Sequence, residues 1–124
     1  MTNNQIIINN LLINYYSVLS DKKSPDKTLV FLHGWGVDSN LWFKLIPELT
    51  NKNYSLYFLD LPGFGQSQVP NSIYDVDDYK KIVYEFVRKI GSGKFPHLDV
   101  WKFFCPHFSA KRIGGLFPIP NQDS

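Results

Sequence analysis

Apolar residues fall in short runs through the first sixty positions and in one helical stripe after position 75. Ile6-Ile7-Ile8 is β-branched, Asn9-Asn10 is a turn pair, and Leu11 to Leu19 is apolar and aromatic. Asparagine tolerates the left-handed backbone of a tight hairpin, so residues 6–19 predict two short strands joined without glycine. Residues 20–27 are polar, include Pro25 and predict a loop. Thr28-Leu29-Val30-Phe31-Leu32 is apolar throughout and ends at His33-Gly34. A strand apolar on both faces is buried on both, the habit of a central parallel strand. Ser39 is then placed to cap a helix in which Trp42, Leu45, Ile46 and Leu49 form one stripe, with Pro47 expected to kink or split it.

Tyr54 to Leu61 predicts the next strand, carrying Leu56, Phe58 and Leu59. It runs into the turn-rich segment Asp60-Leu61-Pro62-Gly63-Phe64-Gly65-Gln66-Ser67. The second helix has the strongest pattern in the chain. Asp75 or Asp77 is placed to cap it, and its first turn is acidic, which suits the helix dipole. Tyr79, Ile82, Val83, Phe86, Val87 and Ile90 keep one stripe, and Gly91 is expected to end it as a left-handed C′ glycine. Hairpin, strand, helix, strand, helix argues for an α/β fold with a largely parallel sheet.

At residue 92 the composition changes. Residues 1–91 carry nine basic and nine acidic side chains, so the whole formal charge of +2 lies beyond them. All seven tyrosines precede residue 92, whereas four of eight prolines follow it, and no helical stripe appears there. His97 to Phe104 is a candidate strand, and after it Pro106, Gly114-Gly115, Pro118 and Pro120 predict irregular chain. We therefore divide the sequence into an α/β unit, residues 1–91, and a divergent tail, residues 92–124. The tail has three readings: a poorly ordered extension, a divergent end of the same domain, or the product of a frame change or truncation.

With 124 residues the chain accommodates one small domain. Its weak net charge argues against a nucleic-acid partner. No apolar run is long enough to cross a bilayer, and the start Met1-Thr2-Asn3-Asn4-Gln5 has no basic n-region, so no membrane partner is expected and the default location is the cytoplasm. A single cysteine, Cys105, excludes an intrachain disulfide framework.

The candidate chemistry begins at Leu32-His33-Gly34-Trp35-Gly36, directly after the buried strand. Together with a helix carrying Trp42, a second strand and the pattern Asp60-x-Pro62-Gly63-x-Gly65-x-Ser67, this resembles the opening of α/β-hydrolases. The likeness covers roughly residues 5–91 and extends to small carboxylesterases, including pimeloyl-ester methyl esterases, and to carbon–carbon bond hydrolases. Either motif alone is weak; the two at this separation are specific. The resemblance implies the amino-terminal half of a hydrolase sheet, an ester-like small-molecule substrate, and neither cofactor nor metal. Acyl transfer builds negative charge on a carbonyl oxygen, which such enzymes meet with two backbone N–H donors. By resemblance, the N–H of Trp35 is one donor, and Gly34 and Gly36 let the backbone approach the substrate. His33 is expected to order this oxyanion loop rather than act as a base. The plainer alternative is that His33-Gly34 merely turns the chain off the sheet. Asp60, Pro62, Gly63, Gly65 and Ser67 are expected to be structural, setting a tight path and satisfying backbone groups. Gly34-x-Gly36-x-x-Ser39 with Asp60 also approaches a dinucleotide-binding fingerprint, but Ser39 stands where its third glycine belongs.

The hydrolase pattern next requires a strand ending in Gly-x-Ser-x-Gly, with small residues two positions either side of the nucleophile. The sequence holds no such elbow. Ser92 has Ile90 and Lys94 at those positions and precedes any candidate strand, and Ser109 has His107 and Lys111. Cys105 is followed by Pro106, which lacks the N–H that would be the second oxyanion donor. The acid and histidine of a triad follow the nucleophile in this fold, and His97 and His107 lie too early to be that histidine. The sequence thus predicts a chain without its own triad. Its half sheet is expected to leave an exposed edge where a partner chain can dock, and to make the isolated chain marginal and prone to aggregate.

Overall fold

The computed structural model describes residues 1–21, 25–33, 39–49, 52–91, 98–104 and 109–112. Thr2–Ile8 (β1) and Leu11–Val18 (β2) form the predicted hairpin, in register from Thr2 opposite Ser17 to Ile8 opposite Leu11. Its turn has φ of 50° at Asn9 and 63° at Asn10, the two consecutive positive values that a two-residue type I′ hairpin needs. β1 starts before the apolar run because backbone pairing with β2, not burial, recruits Thr2 to Gln5 at the sheet edge.

Lys27–Leu32 (β3) and Tyr54–Leu59 (β4) pair in parallel from Lys27 opposite Tyr54 to Leu32 opposite Leu59. β2 lies antiparallel on the other side of β4. Leu98–Phe104 (β5) runs parallel to β3, and Ser109–Arg112 (β6) returns antiparallel to β5. The six strands are ordered β1-β2-β4-β3-β5-β6. β6 departs from the expectation of irregular chain after Phe104. Its four residues hold neither proline nor glycine, and they pair with the open edge that β5 presents.

The period-two alternation of the inner strands sends side chains to two opposite cores. Val30, Leu32 and Leu59 join Ile8, Leu11 and Ile13 beneath Ile82, Val83, Phe86 and Val87 of the long helix, Val76–Gly91. Leu29, Phe31, Leu56 and Phe58 pack with Trp42 on the other side. Trp42 belongs to a 3-10 helix, Ser39–Leu45, continued by the single α-turn Ile46–Leu49 (α1), and we label Val76–Gly91 α2. The change from 3-10 to α geometry falls at Ile46, beside Pro47, whose missing N–H withdraws one donor from the helical ladder. Burying a side chain such as Ile82 or Phe86 contributes about 1.5–3 kcal/mol, so packing on the sheet is what holds α2. Asp75, rather than Asp77, caps it. Gly91 is the last helical residue and not a left-handed C′ glycine; among the described residues the glycines of positive φ are Gly63 and Gly65. At a helix end, glycine's backbone freedom costs little, so the helical turn simply continues onto it. Among the described residues no helix is long and apolar enough to cross a membrane.

Candidate functional site

His33 follows the last residue of β3, and Asp60 follows the last residue of β4. Both therefore sit at the carboxyl end of adjacent parallel strands, the edge at which open α/β sheets bind ligands. His33 is 1% exposed. Its Nε2 accepts a hydrogen bond of 2.8 Å from the Leu61 N–H, and its ring meets Phe64 edge-on at 5.2 Å. A backbone N–H can only donate, so Nε2 carries no proton and the imidazole is the neutral Nδ1–H tautomer. This contact occupies Nε2 and ties the end of β3 to the loop after β4. Gly34, Trp35 and Gly36, the rest of the predicted oxyanion loop, lie outside the described residues.

The loop from Asp60 to Ser67 is closed by its own backbone. Phe64 N–H donates to the Leu61 carbonyl at 2.9 Å, Ser67 N–H to the Phe64 carbonyl at 3.0 Å, and Gly63 N–H to the Gln68 carbonyl at 3.0 Å. Asp60 is 1% exposed. Its Oδ2 accepts from Asn14 Nδ2 at 3.0 Å and from Gln66 N–H at 3.2 Å. A buried carboxylate needs such donors, because an unpaired one costs several kcal/mol. The carboxylate lies directly over Gly65: a Cβ there would stand 2.5 Å from Asp60 Cγ. Ser67 Oγ donates to the Asp60 carbonyl at 2.6 Å and accepts from Asn14 N–H at 2.8 Å. Pro62 is buried, and its carbonyl accepts from the Tyr79 hydroxyl of α2 at 3.4 Å. Burial, and then Tyr74 and Asp78 nearby, push the Tyr79 phenol above its ordinary pKa and keep it a donor.

Thus Asp60, Pro62 and Ser67 turn inward, Gly63 and Gly65 supply the positive φ of the loop, and Asp60 is not held out toward a ribose as the dinucleotide fingerprint requires. Sequence reasoning missed Asn14. The only signal was one polar residue inside an apolar and aromatic strand, Leu11-Leu12-Ile13-Asn14-Tyr15-Tyr16. Of the nucleophile candidates, Ser109 lies within β6 opposite Phe104, in extended pairing rather than at an elbow. Ser92, Cys105 and the histidines 97 and 107 lie outside the described residues.

Residues 27–96 match the model of the alpha/beta hydrolase fold family, and the chain belongs to that family. Among curated relatives, the pimeloyl-[acyl-carrier protein] methyl ester esterase of Sodalis glossinidius is 30% identical over 76 residues, 61% of this chain and 26% of that protein. The enzyme of the same name from Legionella pneumophila (strain Lens) is 38% identical over 65 residues, 52% of this chain and 25% of that one. The chain thus spans about a quarter of the length of these relatives. Among solved structures, a bacterial membrane phospholipase A superposes with a TM-score of 0.67 at 34% identity, covering 80% of this chain and 31% of that one. An esterase from Exiguobacterium antarcticum shares the fold, with a TM-score of 0.66 at 19% identity over 80% of this chain and 34% of that one.

Proposed function

We propose that this chain carries the oxyanion-loop half of an ester hydrolase and has no catalytic triad of its own. The observation that carries this reading is His33, buried at the carboxyl end of β3 with Nε2 committed to Leu61 N–H. A general base needs a free ring nitrogen facing the nucleophile; Nε2 here serves to brace the loop that starts at Gly34. The role of Trp35 N–H as an oxyanion donor, flanked by Gly34 and Gly36, follows from the family's mechanism. Relatives named for methyl ester hydrolysis support an ester of a small molecule as the substrate class. The absence of a Gly-x-Ser-x-Gly elbow from the sequence supports a chain that needs a completing segment, supplied in cis or by a partner.

A chromogenic short-chain ester is the direct test. The chain alone is expected to show no turnover above background. A chimera joining residues 1–91 to the remainder of a Legionella esterase is expected to hydrolyse the ester. Turnover by the chain alone that is lost on Cys105→Ala, Ser92→Ala or Ser109→Ala overturns the claim that it lacks a nucleophile. A folded but inactive chimera counts against residues 1–91 as a working oxyanion half.

A further inference from the structure

We propose that Asn14 of β2 is the positioning residue that sets the orientation and tautomer of His33. The idea extends the reading of His33 as the brace of the oxyanion loop and rests on it. Asn14 is wholly buried and gives both its backbone and its side chain to the loop after β4. Its N–H donates to Ser67 Oγ at 2.8 Å, its carbonyl accepts from Asp60 N–H at 3.0 Å, and its Nδ2 donates to Asp60 Oδ2 at 3.0 Å. The regular β2–β4 ladder begins at Tyr15 opposite Leu59. Asn14 and Asp60 continue it by one step, at the point where β4 becomes loop.

Only the side-chain amide distinguishes this position from an ordinary strand residue. It is one of the donors that hold the buried Asp60 carboxylate, and Gln66 N–H is another. Gly65, with no Cβ to collide with that carboxylate, lets it lie flat across the loop. With Asp60 fixed at both its backbone and its carboxylate, the next N–H, that of Leu61, is aimed at His33 Nε2. Four residues from three segments thus act in series: Asn14 of β2 holds Asp60, Asp60 aims Leu61 in the same loop, and Leu61 selects the tautomer of His33 after β3. An apolar residue of equal size at position 14 would fill the space and lose the alignment.

The test reads the His33 ring itself by NMR of protein labelled with ¹⁵N-histidine, the signal being assigned by its loss in His33→Gln. In the native chain Nε2 is expected to be unprotonated and Nδ1 protonated. Asn14→Leu and Asn14→Ala are expected to abolish this lock, leaving a mixture in which Nε2 carries the proton part of the time. Asn14→Asp sets two carboxylates against each other and is expected to abolish it too. Asn14→Gln keeps an amide donor for the Asp60 carboxylate, which still accepts from Gln66 N–H, and is expected to keep the lock. A protonated Nε2 in the native chain, or a lock that survives Asn14→Leu in a folded protein, overturns the proposal. Where Asn14→Leu and Asn14→Ala do not fold, Asn14→Gln decides: failure to keep both fold and lock overturns the proposal. No readout here is enzymatic, so an inactive chimera in the ester assay would reject the functional reading and leave this result standing.

Discussion

Gly65 has less room for a side chain than Gly63, the other glycine of the loop after β4. Its φ is +52°, and a Cβ would meet three atoms of the Asp60 carboxylate at 2.5–2.7 Å. Gly63 also has positive φ, +86°, but its Cβ would meet only Pro70 at an ordinary 3.7 Å. The two glycines therefore separate backbone strain from steric collision. Gly63→Ala is expected to cost about 1 kcal/mol, from the left-handed backbone alone. Gly65→Ala adds overpacking of a buried carboxylate and is expected to cost about 2–4 kcal/mol. Denaturant midpoints at constant m-value check both, and equal losses would mean that the collision is relieved by movement of Asp60. At this scale the sequence shows the loop but hides its anchor. The spacing of Asp60, Gly63, Gly65 and Ser67 marks a tight turn, because glycine, proline and short polar residues are what such turns require. Asn14 is 46 residues from Asp60 in the chain, and no local pattern connects a lone polar strand residue to a partner so distant. Leu61 escapes notice for another reason: its contribution to His33 is made by its backbone, which side-chain identity does not reveal.

The elements were the most readable part, for reasons that differ between them. β3 shows in the sequence because both its faces are buried, and α2 because its stripe faces one core. β1 is half hidden, since an edge strand is defined by pairing and tolerates exposed asparagines. The choice of cap for α2 rests on a reciprocal pair: Asp78 N–H donates to Asp75 Oδ1 and Asp75 N–H donates to Asp78 Oδ2, each at 2.9 Å. This is a capping box with aspartate at N3 in place of glutamate, so the usual Ser-x-x-Glu pattern did not single out Asp75 over Asp77. The backbone hydrogen bond from Asp78 holds the Asp75 carboxyl below its ordinary pKa, against the opposing effect of burial and with help from the Asp78 side chain, the Asp77 N–H and Lys81. A carboxyl depressed in the folded state adds stability that is complete above its unfolded pKa and is lost as pH falls through the folded one. An asparagine in its place would cap without titrating. The melting temperature of the native chain is therefore expected to exceed that of Asp75→Asn near neutrality, with the gap closing as pH falls below the usual carboxylate range. A gap independent of pH would show that the charge of Asp75 contributes nothing to the cap. The Glu85–Arg88 pair of the same helix, 2.6 Å apart but on an exposed face, is a poor lever by comparison, since such pairs are screened by solvent.

For the whole molecule, strand order is the property that periodicity cannot supply. Alternation tells which face of a strand is buried, not which strand lies beside it, and β4 between β2 and β3 follows only from the family pattern and the structure. That order decides where stability resides. β3 and β4 are each paired on both sides, and their apolar residues lie in the two cores. β1 and β6 each have one neighbour. The β1 edge carries exposed polar side chains, and Lys89 Nζ from α2 donates to the Ile7 carbonyl at 2.9 Å; a lysine so placed obstructs the docking of another strand. β6 is four residues long and antiparallel to β5. Local opening should follow this gradient, because exchange of a paired amide needs only the cheapest opening that frees it. Amide hydrogen exchange is therefore expected to be slowest in β3 and β4, close to the global unfolding limit, and progressively faster through β2 and β5. It should be fastest in the paired amides of β1 and β6. Raising protein concentration distinguishes the two edges. Slowing confined to β6 would mean that a second copy pairs with that edge, whereas β1, guarded by Lys89, should be unaffected. Protection of β6 equal to that of β3 at low concentration would contradict the gradient and show that the tail belongs to the same cooperative unit as the central strands.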